Sequence, residues 1–160
     1  MKTLAMTCLA LGLLLATSEL ALADDDAKKQ AIEQETKKLE GSWAMVSFEV
    51  NGKKISEEDL ERAADMKLVF KGNTGSIRNK DKVLSEGTIT IDPTKKPKTL
   101  DLKVTKGDNS GKTSLAIYEL DGDTLKACWT FFAVDRKRPT DFATKPDSGL
   151  LLITYRREKK

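Results

Sequence analysis

The stretch IYELDGDTLKAC, residues 117–128, carries the clearest fold signal of the chain, because alternating segments flank the turn Asp121-Gly122-Asp123. Glycine between small acidic residues readily adopts the backbone angles that a tight hairpin needs. We therefore predict two antiparallel strands here, over residues 112–120 and 124–132.

Similar short apolar runs extend outward from this hairpin, back to Gly41-Ser42-Trp43 and on to Tyr155-Arg156-Arg157. Gly, Pro, Asn or Asp stands in nearly every gap between them. About eight strands at this spacing are typical of an antiparallel sheet that closes on itself. After the first strand, Ser56 precedes three acidic residues and predicts the start of a short helix over residues 57–64. The predicted fold is an all-β, antiparallel barrel of eight strands with one short helix after the first strand.

The chain before the barrel divides into two predicted segments. Lys2, an apolar run over residues 4–16 and the small-residue site Ala21-Leu22-Ala23 are typical of a secretory signal peptide. We expect cleavage after Ala23 and export to the periplasm or the cell exterior. Residues 24–38 are polar and predict an arm, partly helical, that is either mobile or lies on the barrel. The predicted organisation is a signal peptide over 1–23, the arm over 24–38 and a barrel domain over 39–160.

Composition argues against several classes of function. The formal net charge is only +3, and lysines alternate with acidic residues, which is not typical of a nucleic-acid-binding surface. Beyond the leader, no stretch is apolar enough for a predicted membrane span. The chain has no histidine, so histidine-activated nucleophiles and the commonest zinc ligand are missing. We expect no metal and no cofactor.

Two short motifs resemble ligand-binding loops but favour turns. Residues 107–113, GDNSGKT, resemble a phosphate-binding loop that is one residue short and leads into a strand pattern, whereas such a loop needs a following helix. Asp121-Gly122-Asp123 lacks the further oxygen ligands of a calcium loop. We interpret both as hairpin turns.

Ionisable side chains suggest a possible site of acid–base chemistry. Glu119 shares a strand face with Leu115 and Ile117, and if that face points inward, burial should raise the Glu119 pKa. Asp141 in the long loop would then approach it as the second acid–base group. Alternatively, Glu119 pairs with a basic residue or faces water. Cys128, the only thiol after cleavage, is predicted to be a buried structural residue without a disulfide partner.

The segment RKRPTDF, residues 136–142, has two interpretations. As a lid, Arg136 and Arg138 would receive an anionic head group or a carboxylate, while Phe142 would plug the barrel. As a structural loop, it would be held by a bond between an arginine and Asp141 and by a buried Phe142. Both interpretations place the segment against the barrel.

Several separated motifs also resemble a known family when taken in order. They closely resemble a family of exported domains that is abundant in planctomycete bacteria and described as lipocalin-like. The resemblance covers roughly residues 38–157 and implies a lipocalin-like barrel, but it implies no reaction because the family has no established activity. The motifs are LEGSW (39–43), NGK (51–53), IDP (91–93), KPK (96–98), LDL (100–102), the stretch 117–128 and RPTDF (138–142).

Lipocalins carry Gly-x-Trp on the first strand and an arginine near the end of the last. The arginine stacks over the indole at the closed end of the barrel, a contact worth about 1 kcal/mol. Trp43 fits this resemblance, with Arg156 or Arg157 as its partner. The inserted helix and the missing disulfide differ from many lipocalins.

Three functions are open at this point. The first is a non-enzymatic exported barrel that binds a small, largely apolar or anionic-headed molecule. The second is a protein-interaction or cell-envelope module, with a solid barrel and an envelope protein as partner. The third is a carboxylate-based hydrolase or isomerase that uses Glu119. The candidate ligand-binding residues are Phe70, Leu102, Ile117, Glu119, Arg136, Arg138, Asp141 and Phe142. The candidate walls are Met66, Leu68, Phe70, Ile89, Ile91, Leu100, Leu102, Val104, Leu115 and Ile117.

Overall fold

The computed structural model describes residues 16–130 and 137–159, with side chains from residue 25 onward. Nine antiparallel strands and two helices make up this part of the chain. In order they are α1 (Ala16–Leu39), β1 (Gly41–Val50), β2 (Lys53–Lys54), α2 (Glu57–Arg62), β3 (Met66–Lys71), β4 (Thr74–Asn79), β5 (Lys82–Asp92), β6 (Lys98–Lys106), β7 (Thr113–Asp121), β8 (Thr124–Thr130) and β9 (Leu150–Arg157).

Eight of the strands close into a barrel, as predicted. The sheet order is β1-β3-β4-β5-β6-β7-β8-β9, and β1 also pairs with β9, from Trp43 opposite Arg157 to Val50 opposite Leu151. The two-residue strand β2 only extends the end of β1. The short helix α2 follows β1, and its cap is the predicted one, since the Ser56 hydroxyl accepts the Asp59 N–H at 3.1 Å. The fold is therefore consistent with a lipocalin-like barrel.

The strands are bent where closure requires it. The β5–β6 register shifts between Glu86 and Gly87. A Cβ atom at Gly87 would lie 2.3 Å from the carbonyl oxygen of Lys103, so only glycine allows the two strands to approach this closely. Such irregularities increase the local curvature of a sheet and help it to close.

The two ends of the barrel differ, and we call them the base and the mouth. The base comprises the start of β1, the connection 93–97 and the turn 122–123. The mouth comprises the turn 51–52, α2, and the turns 80–81 and 107–112. Each of the eight barrel strands runs from one of these ends to the other, because neighbouring strands are antiparallel throughout.

Trp43 and Arg157 close the base. Trp43 is fully buried, and its indole N–H donates to the Leu39 carbonyl oxygen at 2.8 Å. The Arg157 guanidinium carbon lies 4.1 Å from the indole ring centroid, and the group donates to the carbonyl oxygens of Lys38 and Glu40. The predicted arginine–tryptophan contact is confirmed with Arg157 as the partner, while Arg156 is exposed.

Helix α1 lies on the base. Leu39 is fully buried, and Ile32 packs against the core. Glu35 is 4% exposed and accepts from Lys98 Nζ at 2.5 Å and from the Tyr118 hydroxyl at 3.3 Å. Burial, followed by the nearby Glu35 charge, raises the Tyr118 pKa well above its usual range. Of the two predicted arrangements of the arm, the structure has the helix on the barrel, and it begins at Ala16.

The orientation predicted for β7 is wrong. Ala116 and Tyr118 belong to the barrel core, whereas Glu119 is exposed on the outer side. Leu115 and Ile117 share that outer face, because side chains alternate along a strand. Both faces of β7 are rich in apolar residues, so alternation alone could not identify the inner one.

Neither α1 nor α2 combines the length and the hydropathy of a membrane-crossing helix.

Candidate ligand cavity

A cavity of about 280 Å³ lies inside the mouth half of the barrel. Its walls come from seven of the eight barrel strands and are mostly apolar. The residues that line it are Met45, Phe48, Met66, Lys67, Leu68, Ile77, Leu102, Ser114, Trp129, Thr130, Leu151, Ile153 and Tyr155.

The strand pairing explains why this half is hollow. The β1–β3 ladder ends at Ala44 opposite Lys67, and beyond that pair β1 bonds only to β9 and to β2. The two strands therefore separate toward the mouth, and Met45 and Met66 line the space that results. On β7, the small side chain of Ser114 faces this space, so it leaves room that a larger residue would fill.

The volume of the cavity limits the size of an occupant. An apolar cavity of about 150 Å³ holds one benzene molecule. By the same ratio, 280 Å³ suits a molecule of roughly ten to twelve non-hydrogen atoms. Apolar lining with few polar groups is the usual character of a small-molecule site.

Two of the polar groups around the cavity, the hydroxyls of Ser114 and Thr130, form hydrogen bonds between β7 and β8. The Ser114 hydroxyl donates to the Thr130 carbonyl oxygen at 2.6 Å, and the Thr130 hydroxyl accepts the Leu115 N–H at 2.9 Å. These bonds fasten β7 to β8 at the mouth. They also give each hydroxyl one hydrogen-bond partner within the protein.

Trp129 and Tyr155 are the other polar groups. Trp129 is 7% exposed, and its buried Nε1 has no hydrogen-bond partner within residues 16–130 and 137–159. The Tyr155 hydroxyl lies near this indole, although the two do not reach hydrogen-bond geometry. Burial raises the Tyr155 pKa far above its ordinary value of 10, and the indole N–H opposes this only in part. Tyr155 therefore keeps its proton.

Charged groups are directed away from the cavity. Lys67 is the one ionisable cation among the described lining residues, and its ammonium group lies 2.7 Å from a Glu158 carboxylate oxygen. Within the described part of the chain, no group of His, Cys, Asp or Glu residues is arranged to hold a metal ion. The cavity thus offers apolar contacts and two neutral donors.

The predicted lid does not lie over the mouth. Arg138 Nη2 lies 2.6 Å from an Asp101 carboxylate oxygen, and Arg138 Nη1 donates to the Ala116 carbonyl oxygen at 2.7 Å. Asp101 belongs to the outer face of β6, since Leu100 and Leu102 on either side of it face the core. The loop is pinned, as in the structural interpretation, but through Asp101 instead of Asp141. Arg136 lies outside the described residues.

The rest of this loop also covers the outer wall. Asp141 is exposed and accepts the Thr140 hydroxyl at 2.9 Å. Phe142 is half-buried, with the Lys126 ammonium group 5.2 Å from its ring centroid, so it packs outside the barrel and does not plug it. Asp141 and the exposed Glu119 therefore form no internal acid–base pair, and that prediction is wrong.

Ile117 and Cys128 are buried on this outer side, beneath the loop. Cys128 Sγ lies 3.8 Å from the Ala143 carbonyl oxygen, and Arg138 and Pro139 lie beside Ile117. Burial raises the Cys128 pKa to about 11. The thiol is buried and without a disulfide, as predicted.

Of the predicted ligand-binding residues that the structure describes, only Leu102 lines the cavity. Phe70 is buried in the packed core instead. Trp129, Tyr155 and Ser114 were not predicted as site residues. The hairpin register offers a signal for Trp129. The turn at Gly122 places Ala116 opposite Trp129, and the side chains of directly opposed residues lie on the same face of the sheet.

Comparison with known proteins adds no assignment. No protein-family model matches the chain, and no curated protein matches its sequence. The resemblance to the planctomycete family stays a prediction, and the chain is placed by its closed barrel and by the cavity in the mouth half.

Proposed function

We propose that this protein is an exported, non-enzymatic barrel that binds one small, largely apolar molecule in the mouth cavity. The observation that supports the proposal most directly is the apolar space of about 280 Å³. Protein interiors are normally close-packed, so an empty space of this size lowers stability, and a bound molecule that restores the lost contacts would offset that cost.

Binding is favoured over catalysis by the groups that meet in the cavity. The carboxylate mechanism required Glu119 inside the barrel, and Glu119 is exposed on its outer side. The polar side chains that do line the space are hydroxyls, an indole and a lysine already paired with Glu158. This set is suited to holding a molecule and not to exchanging protons with it near neutral pH.

The interaction-module alternative has less support. The large apolar side chains that the described surface exposes most are Val46, Val83 and Leu84, at 39–40%. Val46 lies on β1 and the other two lie on β5, with β3 and β4 between them. Scattered residues of this kind are usual on soluble proteins and do not form a docking patch.

Native mass spectrometry of the protein purified from its own host tests the proposal directly. We expect a retained molecule of roughly ten to twelve non-hydrogen atoms. Export predicts in addition that the isolated protein starts at Asp24, which the intact mass reports. A full-length mass would contradict the predicted cleavage without affecting the proposed binding.

A titration with tetralin, a hydrocarbon of suitable size, tests the cavity itself. Leu151 lines the cavity, whereas its neighbour Leu152 alternates to the outer face of β9. We expect Leu151→Trp to fill the space and weaken tetralin binding at least tenfold, and Leu152→Trp to leave it within about twofold. Equal affinity of both variants and the unchanged protein would contradict binding in this cavity.

A further inference from the structure

We propose that the bound molecule carries one neutral hydrogen-bond acceptor, such as a carbonyl oxygen, and that Trp129 Nε1–H and the Tyr155 hydroxyl hold it. The inference rests on the proposed function and adds the chemical class of the ligand. It also assigns Trp129 and Tyr155 as the residues that select this class.

The first step is the unsatisfied indole. Buried N–H groups nearly always have a hydrogen-bond partner, so an exception indicates a partner that is absent from the protein itself. Trp129 is 7% exposed and lines the cavity, and its Nε1–H makes no hydrogen bond within residues 16–130 and 137–159, although the Tyr155 hydroxyl lies nearby. A molecule in the cavity is in position to supply that acceptor.

Trp43 provides an internal comparison. Trp43 is also buried, at 0% exposed, yet its N–H donates to the Leu39 carbonyl oxygen at 2.8 Å. The fold therefore satisfies an indole at the base from its own backbone. At the mouth, the corresponding donor faces the space where an occupant would sit.

Tyr155 adds a second donor beside the first. It lines the cavity, and its hydroxyl is close enough to the Trp129 indole for the two groups to influence each other. Burial keeps the Tyr155 proton in place, because its pKa is raised. An oxygen with two lone pairs can accept from both groups at once.

The charges around the cavity select a neutral ligand. Burying a carboxylate requires a nearby cation to compensate for lost hydration. Lys67 already pairs with Glu158, and Arg138 already pairs with Asp101 on the outer wall. An anionic head group would therefore be buried without an available cation among the described lining residues, whereas a ketone, aldehyde, ester or amide oxygen would not need one.

The experiment uses three bicyclic probes of ten to twelve non-hydrogen atoms: tetralin, its ketone α-tetralone, and indane-2-carboxylate. Each is titrated into the protein at neutral pH, with affinity measured by calorimetry and the two indole N–H resonances observed by NMR. We expect α-tetralone to shift the Trp129 resonance and to leave the Trp43 resonance unchanged. Tetralin should bind without shifting the Trp129 N–H to the same degree, and the carboxylate should bind more weakly than the ketone.

Two substitutions remove the donors one at a time. Tyr155→Phe is nearly isosteric, and Trp129→Phe keeps an aromatic ring. We expect each to weaken α-tetralone binding roughly five- to tenfold more than it weakens tetralin binding, because the tetralin titration reports any loss of apolar contact with the cavity wall. The retained Trp43 resonance verifies that each variant is folded, and Tyr155→Phe decides the question if Trp129→Phe does not fold.

The possible outcomes separate this inference from the proposed function. If both variants bind the ketone as tightly as the unchanged protein does, Trp129 and Tyr155 do not hold an acceptor of the ligand, although apolar binding in the cavity stands. A Trp129 N–H that donates to a bound water molecule would give this result. Tighter binding of the carboxylate would overturn the neutral acceptor. If no probe binds, the proposed function fails and this inference fails with it.

Discussion

The base and the mouth of this barrel are built from the same strands, yet they use side chains differently. At the base, Trp43, Tyr118 and Leu125 fill the interior, and ion pairs tie α1 over the end. At the mouth, the interior is open, and a buried donor on Trp129 is left unsatisfied. The packed base and the hollow mouth thus lie at opposite ends of one sheet, so substitutions at the two ends should have separable effects.

The largest expected difference lies between the two tryptophans. Trp43→Phe removes packing volume, the bond to the Leu39 carbonyl oxygen and the contact with Arg157. We expect a loss of about 2–4 kcal/mol in the free energy of unfolding. Trp129→Phe removes an unsatisfied donor beside an existing cavity, so its cost should stay below about 1.5 kcal/mol. Denaturant titration of both variants measures the difference, and equal losses would refute the division between the two ends.

Lysines at the two ends of β6 provide a second, smaller comparison. Lys98 pairs at 2.5 Å with Glu35, whose side chain is 6% exposed, whereas Lys106 pairs at 2.6 Å with the more exposed Glu86. Lys98→Met removes the cation nearest to the buried Glu35 carboxylate and should lower the free energy of unfolding by about 1–3 kcal/mol. Lys106→Met breaks an exposed surface pair and should change the free energy of unfolding far less than Lys98→Met does.

Thermal unfolding at neutral pH checks this pair, and high salt provides the control. Salt should weaken the surface pair more than the buried one. If Lys106→Met lowered the stability as much as Lys98→Met or more, the buried Glu35 carboxylate would not depend on its ion pair with Lys98.

Much of the base was predictable from sequence, and little of the mouth was. The turn at Asp121-Gly122-Asp123 fixes a hairpin through local backbone preferences. Trp43 and an arginine of β9 could be paired because the Gly-x-Trp and the late arginine resemble the corresponding residues of lipocalins. Each of these signals comes from a few residues that strongly favour one local arrangement.

The cavity depends instead on relations between distant segments. Arg138 pairs with Asp101 and not with nearby Asp141, which moves the whole loop to the outer wall. That loop buries Ile117 from outside, and so the outer face of β7 looks like a core face in the sequence. The unsatisfied N–H of Trp129 is visible only once every neighbouring acceptor has been placed.

The smallest expected effect concerns pH. The Lys67 ammonium and the Ser42 hydroxyl hold the pKa of Glu158 below its ordinary value of 4.5. Because the folded-state value is the lower one, this carboxylate stabilises the fold above pH 4.5 and loses its contribution as pH falls through the folded-state pKa. We expect Glu158→Gln to flatten slightly the decline in stability between about pH 5 and pH 3. An unchanged slope in acid unfolding curves would contradict this contribution.

The ring of strands also constrains how the protein folds. Arg157 reaches back to the Glu40 carbonyl across 117 positions in sequence, so the last join is also the most remote. Contacts between such distant positions form slowly, and small β-rich domains of this kind fold in milliseconds to seconds. Until that join forms, β1 and β9 present unpaired edges to other copies of the chain. Refolding yield should therefore fall as protein concentration rises, even where the finished barrel stays monomeric.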